Sequence, residues 1–270
     1  MQRKGSINLK YVSLASGSKG NCHLVKEKHT SVIVDAGIAL KNINKHLESH
    51  DIDLKSINAI LVTHEHTDHA KSVGALSRKL DIPIYATEGT FIGMEKSLGK
   101  VSDKNIKIIK AEDEFGIGDI IVKSHGVDHD AKDPVCYRLE ANRKNISFLT
   151  DLGVIRRSIL DFIVGSNAVI LESNHDINML DAGPYPYELK MRIKSNFGHI
   201  SNDTAGKMAS ELVKTGTTKI MLAHISEQNN MPILAYQSVA SILKKNEIEI
   251  GCDLELKVLE QHFASESMEI

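Results

Sequence analysis

Residues 61–70 read LVTHEHTDHA, and six consecutive positions, 64–69, carry three histidines and two carboxylates. Imidazole and carboxylate are the side chains that bind zinc and related divalent ions. A polar surface loop uses the same residue types, so local geometry has to decide. The preceding NAILVT is short, apolar and partly β-branched, and reads as a buried strand. A strand leaving into a loop keeps side chains two apart on one side of the chain. His64, His66 and Asp68 then converge, whereas on an α-helix positions 64 and 66 would point about 200° apart. His69 opens HAKSVGALSRKLD, whose apolar spacing is helical. Asp68 thus falls at a helix N-terminus, where a carboxylate is favoured. The expected chemistry is divalent-metal binding.

The rest of the chain has to position that loop. With 270 residues, 41% of them hydrophobic, it can bury a large core. INLKYVSLAS, CHLVKE and SVIVDAG read as strands joined by tight turns. PIYAT, NIKIIK, DIIVKS, VCYRLEA, NISFLT, NAVILE and TKIMLAH read as further strands. ALKNINKHLESH, GTFIGMEKSLG, PYELKMRIKSN, NDTAGKMASELVK and PILAYQSVASILKKN read as helices. Strands clustered in both halves with helices between them predict an α/β (α+β) chain, with two sheets face to face and helices outside, a four-layer αββα sandwich. One domain is expected over residues 1–263, with 264–270 a flexible tail without pattern. No run reaches the 18 apolar residues of a membrane helix and the N-terminal stretch lacks the apolar core of a signal peptide, so a cytoplasmic protein without membrane contact is expected. Three scattered cysteines, Cys22, Cys136 and Cys252, argue against a disulfide framework and for buried thiols. A net charge of -2 neither demands nor excludes nucleic acid.

One loop supplies too few groups for two metal sites, and ionisable residues close five other apolar strands. SVIVD ends at Asp35, DIIVKS runs into SHGVDHD with His125 and His129, NISFLT ends at Asp151, NAVIL at Glu172 and TKIMLA at His224. Any one of them could be a turn or cap residue. Together they place ligand types at sheet rims. SGSKGNC has a Gly/Ser loop and a Lys but leads into a strand rather than a helix, so it reads as a hairpin turn supporting the site and not as a phosphate cradle.

HEHTDH matches the His-x-His-x-Asp-His signature of the metallo-β-lactamase fold. With SGSKGNC, HDAKDPV at 129–135, ESNHD at 172–176, GPYP at 183–186, GHISN at 198–202 and LAHISEQNN at 222–230, the chain resembles the YycJ/WalJ group of metallohydrolases over nearly its whole length. The resemblance implies that His64, His66 and His129 hold one metal ion and that Asp68, His69 and His224 hold a second, with Asp151 bridging. The group pattern selects His129 over His125 as the third histidine. Asp35 is implied to anchor the loop rather than to bind metal, and Cys136, where relatives carry Gly or another residue, is expected to pack.

Two divalent ions about 3.5–4 Å apart, zinc first and manganese as the alternative, would bring a shared water toward a pKa of ~7, giving a bridging hydroxide as nucleophile. Asp68 is assigned a catalytic as well as a ligand role. The bridging Asp151 suits phosphodiesterases and glyoxalase II-type thioesterases better than β-lactamases, and His66 in the second signature position favours hydrolysis over redox work. In GHISNDTAG, Ser201 and Asn202 precede a helix whose free N–H groups could receive a phosphate. His199 could hydrogen-bond that phosphate or protonate the leaving oxygen, and Asn174 and His175 could add to the same wall. Arg156, Arg157, Lys190, Arg192, Lys194 and Lys207 could form a basic approach path. The resemblance then implies a 5′ to 3′ exonuclease on DNA, with RNA a second possible substrate. The alternatives are a small-nucleotide phosphodiesterase, a glyoxalase II-type thioesterase and a metal-stabilised regulatory binding module.

Overall fold

The computed structural model describes residues 9–270; residues 1–8, with the start of the expected first strand and the N-terminal stretch, lie outside the described residues. The first half runs β1 Lys10–Ala15, β2 Cys22–Glu27, β3 Thr30–Val34, α1 Leu40–Glu48, β4 Ala59–Leu61, α2 Thr67–Ala70, α3 Val73–Leu80, β5 Ile84–Thr87, α4 Glu88–Leu98 and β6 Ile106–Ile109. The second half runs β7 Glu114–Ile117, β8 Ile120–Gly126, β9 Val135–Ala141, β10 Lys144–Leu149, α5 Arg157–Ile163, β11 Ala168–Glu172, α6 Ile177–Ala182, α7 Tyr187–Lys194, α8 Asn202–Lys214, β12 Lys219–Ala223, α9 Pro232–Lys245, β13 Glu255–Val258 and β14 Met268–Glu269. Two seven-stranded sheets result, ordered β14-β1-β2-β3-β4-β5-β6 and β13-β12-β11-β10-β9-β8-β7. Each is antiparallel on one side and parallel on the other, through β3-β4-β5-β6 and β10-β11-β12-β13.

Period-two alternation explains the four layers. In β3, Val32 and Val34 enter the core between the sheets, while Ile33 turns outward with Ile43, Leu47 and Leu76 of α1 and α3. In β11, Ala168 and Ile170 face the inner core, while Val169 and Leu171 meet Ala205, Met208, Ala209 and Val239 of α8 and α9. Strands covered on both faces read as continuous apolar runs, and the αββα sandwich follows. No helix among the described residues is long and apolar enough to cross a membrane.

The structure adds β7, α5, α6 and β13 to the expected elements and departs from three further expectations. The helix expected from His69 breaks at Ser72, whose N–H goes to the Ala36 carbonyl (2.8 Å) and whose hydroxyl goes to the Ile38 carbonyl (2.6 Å), so α2 stops after four residues. The last residues, expected as a tail, lie along β1: Lys10 pairs with Glu269 and Tyr11 with Met268, Ser265 exchanges hydrogen bonds with the Ser13 backbone, and Ile270 is buried in the inner core. Cys22 and Cys136 are buried free thiols, but Cys252 is exposed on the turn before β13. Burial pushes the Cys136 thiol up to about 12, which suits a packing role.

The parallel halves of both sheets end at one rim, the place where α/β sheets collect ligands. Register does the positioning there. Val34 lies opposite Leu61, so Asp35 adjoins Thr63, and Glu172 lies opposite Ala223, so Ser173 adjoins His224. Gly37 lets the metal-loop backbone approach: a Cβ at this position would lie 1.6 Å from the Asp68 carbonyl oxygen, a backbone atom that cannot swing away. Gly37→Ala is therefore expected to destabilise the protein by about 1–3 kcal/mol, whereas Gly116→Ala, which meets open space, leaves stability within about 0.5 kcal/mol; urea unfolding of the two variants checks both.

Candidate metal centre

Strand ends bring seven of the sequence-assigned side chains to one rim. His64, His66 and His129 form one group, His64, His69 and Asp151 a second, and Asp68, His69 and His224 a third, each with its ligand-type atoms within 4.8 Å of one another. The third histidine of the first group is His129. His125 stacks on Phe162 instead and pairs with Glu112 at 2.5 Å. Glu65, between the two loop histidines, turns toward Gly93 of α4 and accepts from the Lys132 N–H.

Fixed acceptors set the orientation of three rings. His69 Nδ1 lies 2.7 Å from Asp35, His129 Nδ1 3.2 Å from the Gly198 carbonyl and His224 Nδ1 2.9 Å from Glu172. With Nδ1–H donating outward, each Nε2 lone pair faces the cluster, as outer partners of metal-bound histidines arrange it. Asp35 also accepts from the Thr63 N–H and hydroxyl at 2.8 and 2.9 Å. It ties the end of β3 to the loop without joining any candidate ligand group, as expected. Asn21, from the SGSKGNC turn, donates its N–H to the Asp68 carbonyl at 2.7 Å and places its amide 3.0 Å from His69 Nε2. That turn does support the loop.

Asp151 is 3% exposed. Burial alone would raise its pKa, but His224 and His69 outweigh burial and hold the carboxyl well below the usual range. Burial and the neighbouring His69 hold His64 well below the ordinary imidazole value, and burial lowers His129, so both rings are neutral donors. For His69 and His224 burial opposes the charge, yet Asp151 with Asp35 or Glu172 outweighs it: His69 rises well above its ordinary value and His224 to about 10. A bound cation would replace the protons these two rings carry.

Asp151 Oδ2 and His224 Nε2 make no regular hydrogen bond and have only the ion contacts to His69 Nε2 at 3.2 Å and Asp68 at 3.5 Å, while buried His64 Nε2 has no partner among the described residues. Buried polar atoms are rarely left so. Imidazoles and carboxylates aimed at one another fit divalent metal, and the donor set implies it.

Glu172 was legible as a strand end but carried no assigned role, and the structure makes it central to the rim. Fully buried, it lies 2.8 Å from His199 Nδ1 and 2.9 Å from His224 Nδ1, and it accepts from the Ile200 N–H at 3.1 Å. It groups with Asp151, His199 and His224 as a possible ligand set, but those contacts already occupy its oxygens. Burial would raise its pKa; His199 and His224 bring it down to about 2.

A cavity of about 220 Å³ opens at the cluster, lined by His66, Asp68, Asp151, Asn174, His199 and His224 and also by Tyr185 and Arg192. Asn174 and His199 thus line the same cavity as the candidate ligands. Ser201, Asn202 and His175 do not line the cavity. The Ser201 hydroxyl caps its own helix by accepting from the Thr204 N–H, and the Asn202 N–H goes to the His175 carbonyl, so these donors at the α8 N-terminus are already used. The Asn202 side chain closes a buried network with Ser173 and Asn230. A residue good at receiving phosphate at a helix start is equally good at capping that start.

Asp35→Asn keeps the size of the side chain and removes the charge that orients His69. It should weaken divalent-metal affinity about 10–100-fold, measured by competition with a chromogenic chelator; unchanged affinity would mean that Asp35 serves the fold alone.

The beta-lactamase superfamily domain matches residues 30–225. The chain is 38% identical to the exodeoxyribonuclease YycJ of Bacillus anthracis, covering 91% of this chain and 93% of that one. It is 35% identical to the exodeoxyribonuclease WalJ of Streptococcus pneumoniae, covering 93% and 94%. The crystal structure of the metallo-β-lactamase fold protein YhfI from Bacillus subtilis superposes with a TM-score of 0.73 over 96% of this chain and 99% of that one, at 16% identity, a likeness of fold. With its sheets, its rim and these matches in agreement, the chain belongs to the β-lactamase superfamily, in the family of the YycJ and WalJ proteins.

Proposed function

We propose that the protein is a metal-dependent nuclease, a 5′ to 3′ exonuclease that hydrolyses phosphodiester bonds of DNA at a two-metal site. The convergence of seven ligand-type side chains at one buried rim, with His64 Nε2 left without a partner among the described residues, carries the two-metal reading. The names of the relatives support the substrate. His64, His66 and His129 would hold one ion and Asp68, His69 and His224 the other, with Asp151 shared. Histidine-rich ligation favours zinc, and the carboxylates Asp68 and Asp151 keep manganese as the alternative. Divalent ions there supply a water nucleophile at neutral pH and Lewis acidity toward the phosphoryl oxygens.

The chain's own side chains complete the chemistry. His199 faces the cavity with Nδ1 engaged by Glu172, so Nε2 is the atom left to donate a proton to the departing oxygen. Glu172 fixes the orientation of that ring through Nδ1, the role a buried carboxylate plays behind a catalytic histidine. Asn174 donates to the His224 carbonyl at 3.0 Å and holds the cavity wall. We place the activity in the cytoplasm, where its DNA substrate and reduced thiols belong.

Metal-reconstituted protein assayed on 5′-phosphorylated duplex DNA, single-stranded DNA, RNA, bis(p-nitrophenyl) phosphate, a thioester and a β-lactam should cleave DNA from the 5′ end. Turnover of the thioester alone would replace this reading with a glyoxalase II-type activity, and binding without any turnover with a regulatory module. His199→Ala should lower kcat about 10²–10⁴-fold on the DNA substrate while metal content by mass spectrometry stays that of the parent.

A further inference from the structure

Arg192 is the one Lys or Arg side chain among the described residues that line the cavity. It stands on α7 and pairs through Nε with Asp130, whose other oxygen lies 3.3 Å from His129 Nε2. The pair uses Nε alone, and no partner is found for either Nη group among the described residues. Arg156, by contrast, engages Asp128 with both Nε and Nη2. The nearby cations of α7 point elsewhere, Lys190 and Lys194 both to Asp181. An arginine held by one edge and open along the other presents a fork of N–H donors that matches a phosphate. It does so one carboxylate away from the His64, His66 and His129 group, beside the cluster rather than over it.

At about 220 Å³ the cavity is of a size to take the end of a strand. A strand end that puts its first phosphodiester over the ligand cluster has its terminal phosphate one nucleotide further along. A phosphate monoester there carries close to two negative charges near Asp68 and Asp151, and needs a cation that the ligand histidines do not provide.

We propose that Arg192, oriented by Asp130, forms a second phosphate subsite that takes the terminal 5′-phosphate of the strand being degraded. Resting on the nuclease reading, this makes Arg192 a specificity residue: it selects 5′-phosphorylated ends over 5′-hydroxyl ends. Tyr185, which lines the same cavity, closes the subsite from the side of the α6–α7 connection.

The test compares metal-reconstituted parent, Arg192→Ala and Arg192→Lys on one single-stranded oligonucleotide bearing either a 5′-phosphate or a 5′-hydroxyl. The parent should favour the phosphate in kcat/KM on the order of tenfold to a hundredfold, the range of a charge-assisted contact. Arg192→Ala should bring that ratio to within about twofold of unity, chiefly through KM for the phosphorylated strand, and Arg192→Lys should restore part of it. Equilibrium binding of labelled oligonucleotides whose first linkage cannot be cleaved should show the same loss of preference. None of the residues of α7 is buried, so the variants keep the parent's thermal unfolding. A parent without preference, or a preference that survives in Arg192→Ala, overturns the subsite while leaving the nuclease reading standing. A parent that cuts neither oligonucleotide, single-stranded or annealed to its complement, removes the nuclease reading, and the subsite with it.

Discussion

A carboxylate buried between two sheets, Asp151, sets the terms for the rest of the molecule. Taking a charge out of water costs several kcal/mol unless opposite charge and hydrogen bonds surround it. Here compensation comes from the rings of His69 at 3.2 Å and His224 at 3.3 Å, with His199 at 3.8 Å and the neutral His129 at 4.0 Å completing the surround. Each ring is in turn fixed by a partner behind it, Asp35, Glu172 or the Gly198 carbonyl. The two sheets can meet at this rim because the charges balance across it, and the balance is kept only while Asp35, Thr63 and Glu172 stay in place.

Backbone conformation reports the same constraint. Asp35, Asp151 and His224, each just beyond the end of an apolar strand, have φ of 60°, 58° and 54°. Residues other than glycine seldom adopt this region, and doing so costs about 1–3 kcal/mol. Three such residues at one rim mean that hydrogen bonds and ion pairs outweigh local preference there. The turn each residue makes sends its side chain across the rim rather than along the strand.

Much of this was legible in the sequence for a physical reason. HEHTDH follows a buried strand, and strand-exit geometry is local, so convergence of the 64–69 side chains could be argued from spacing. Apolar runs ending at Asp35, Asp151 and His224 marked the rim, because an ionisable group at the end of a buried strand has little to do in packing. Glu172 ended such a run as well, but its role depends on His199 and His224, 27 and 52 residues away, and no local pattern encodes that pairing. The final strand pairs Met268 with Tyr11, a contact across almost the entire chain made by two residues without a periodic signal. The break at Ser72 was hidden because the helix period continues through it; the competing acceptors, Ala36 and Ile38, lie in a different segment. Ser201 caps its helix and Asn202 joins a buried network; the same hydroxyl and amide chemistry serves a cap, a network or a phosphate, and no local pattern chooses between them.

The central claim is that the buried rim is a two-metal centre rather than a self-compensated cluster of imidazoles and carboxylates. Elemental analysis of the protein after reconstitution and removal of free metal tests it most directly. The account predicts two divalent ions per chain for the parent and no more than one for Asp151→Ala. One ion or none in the parent, or two retained without Asp151, would contradict it.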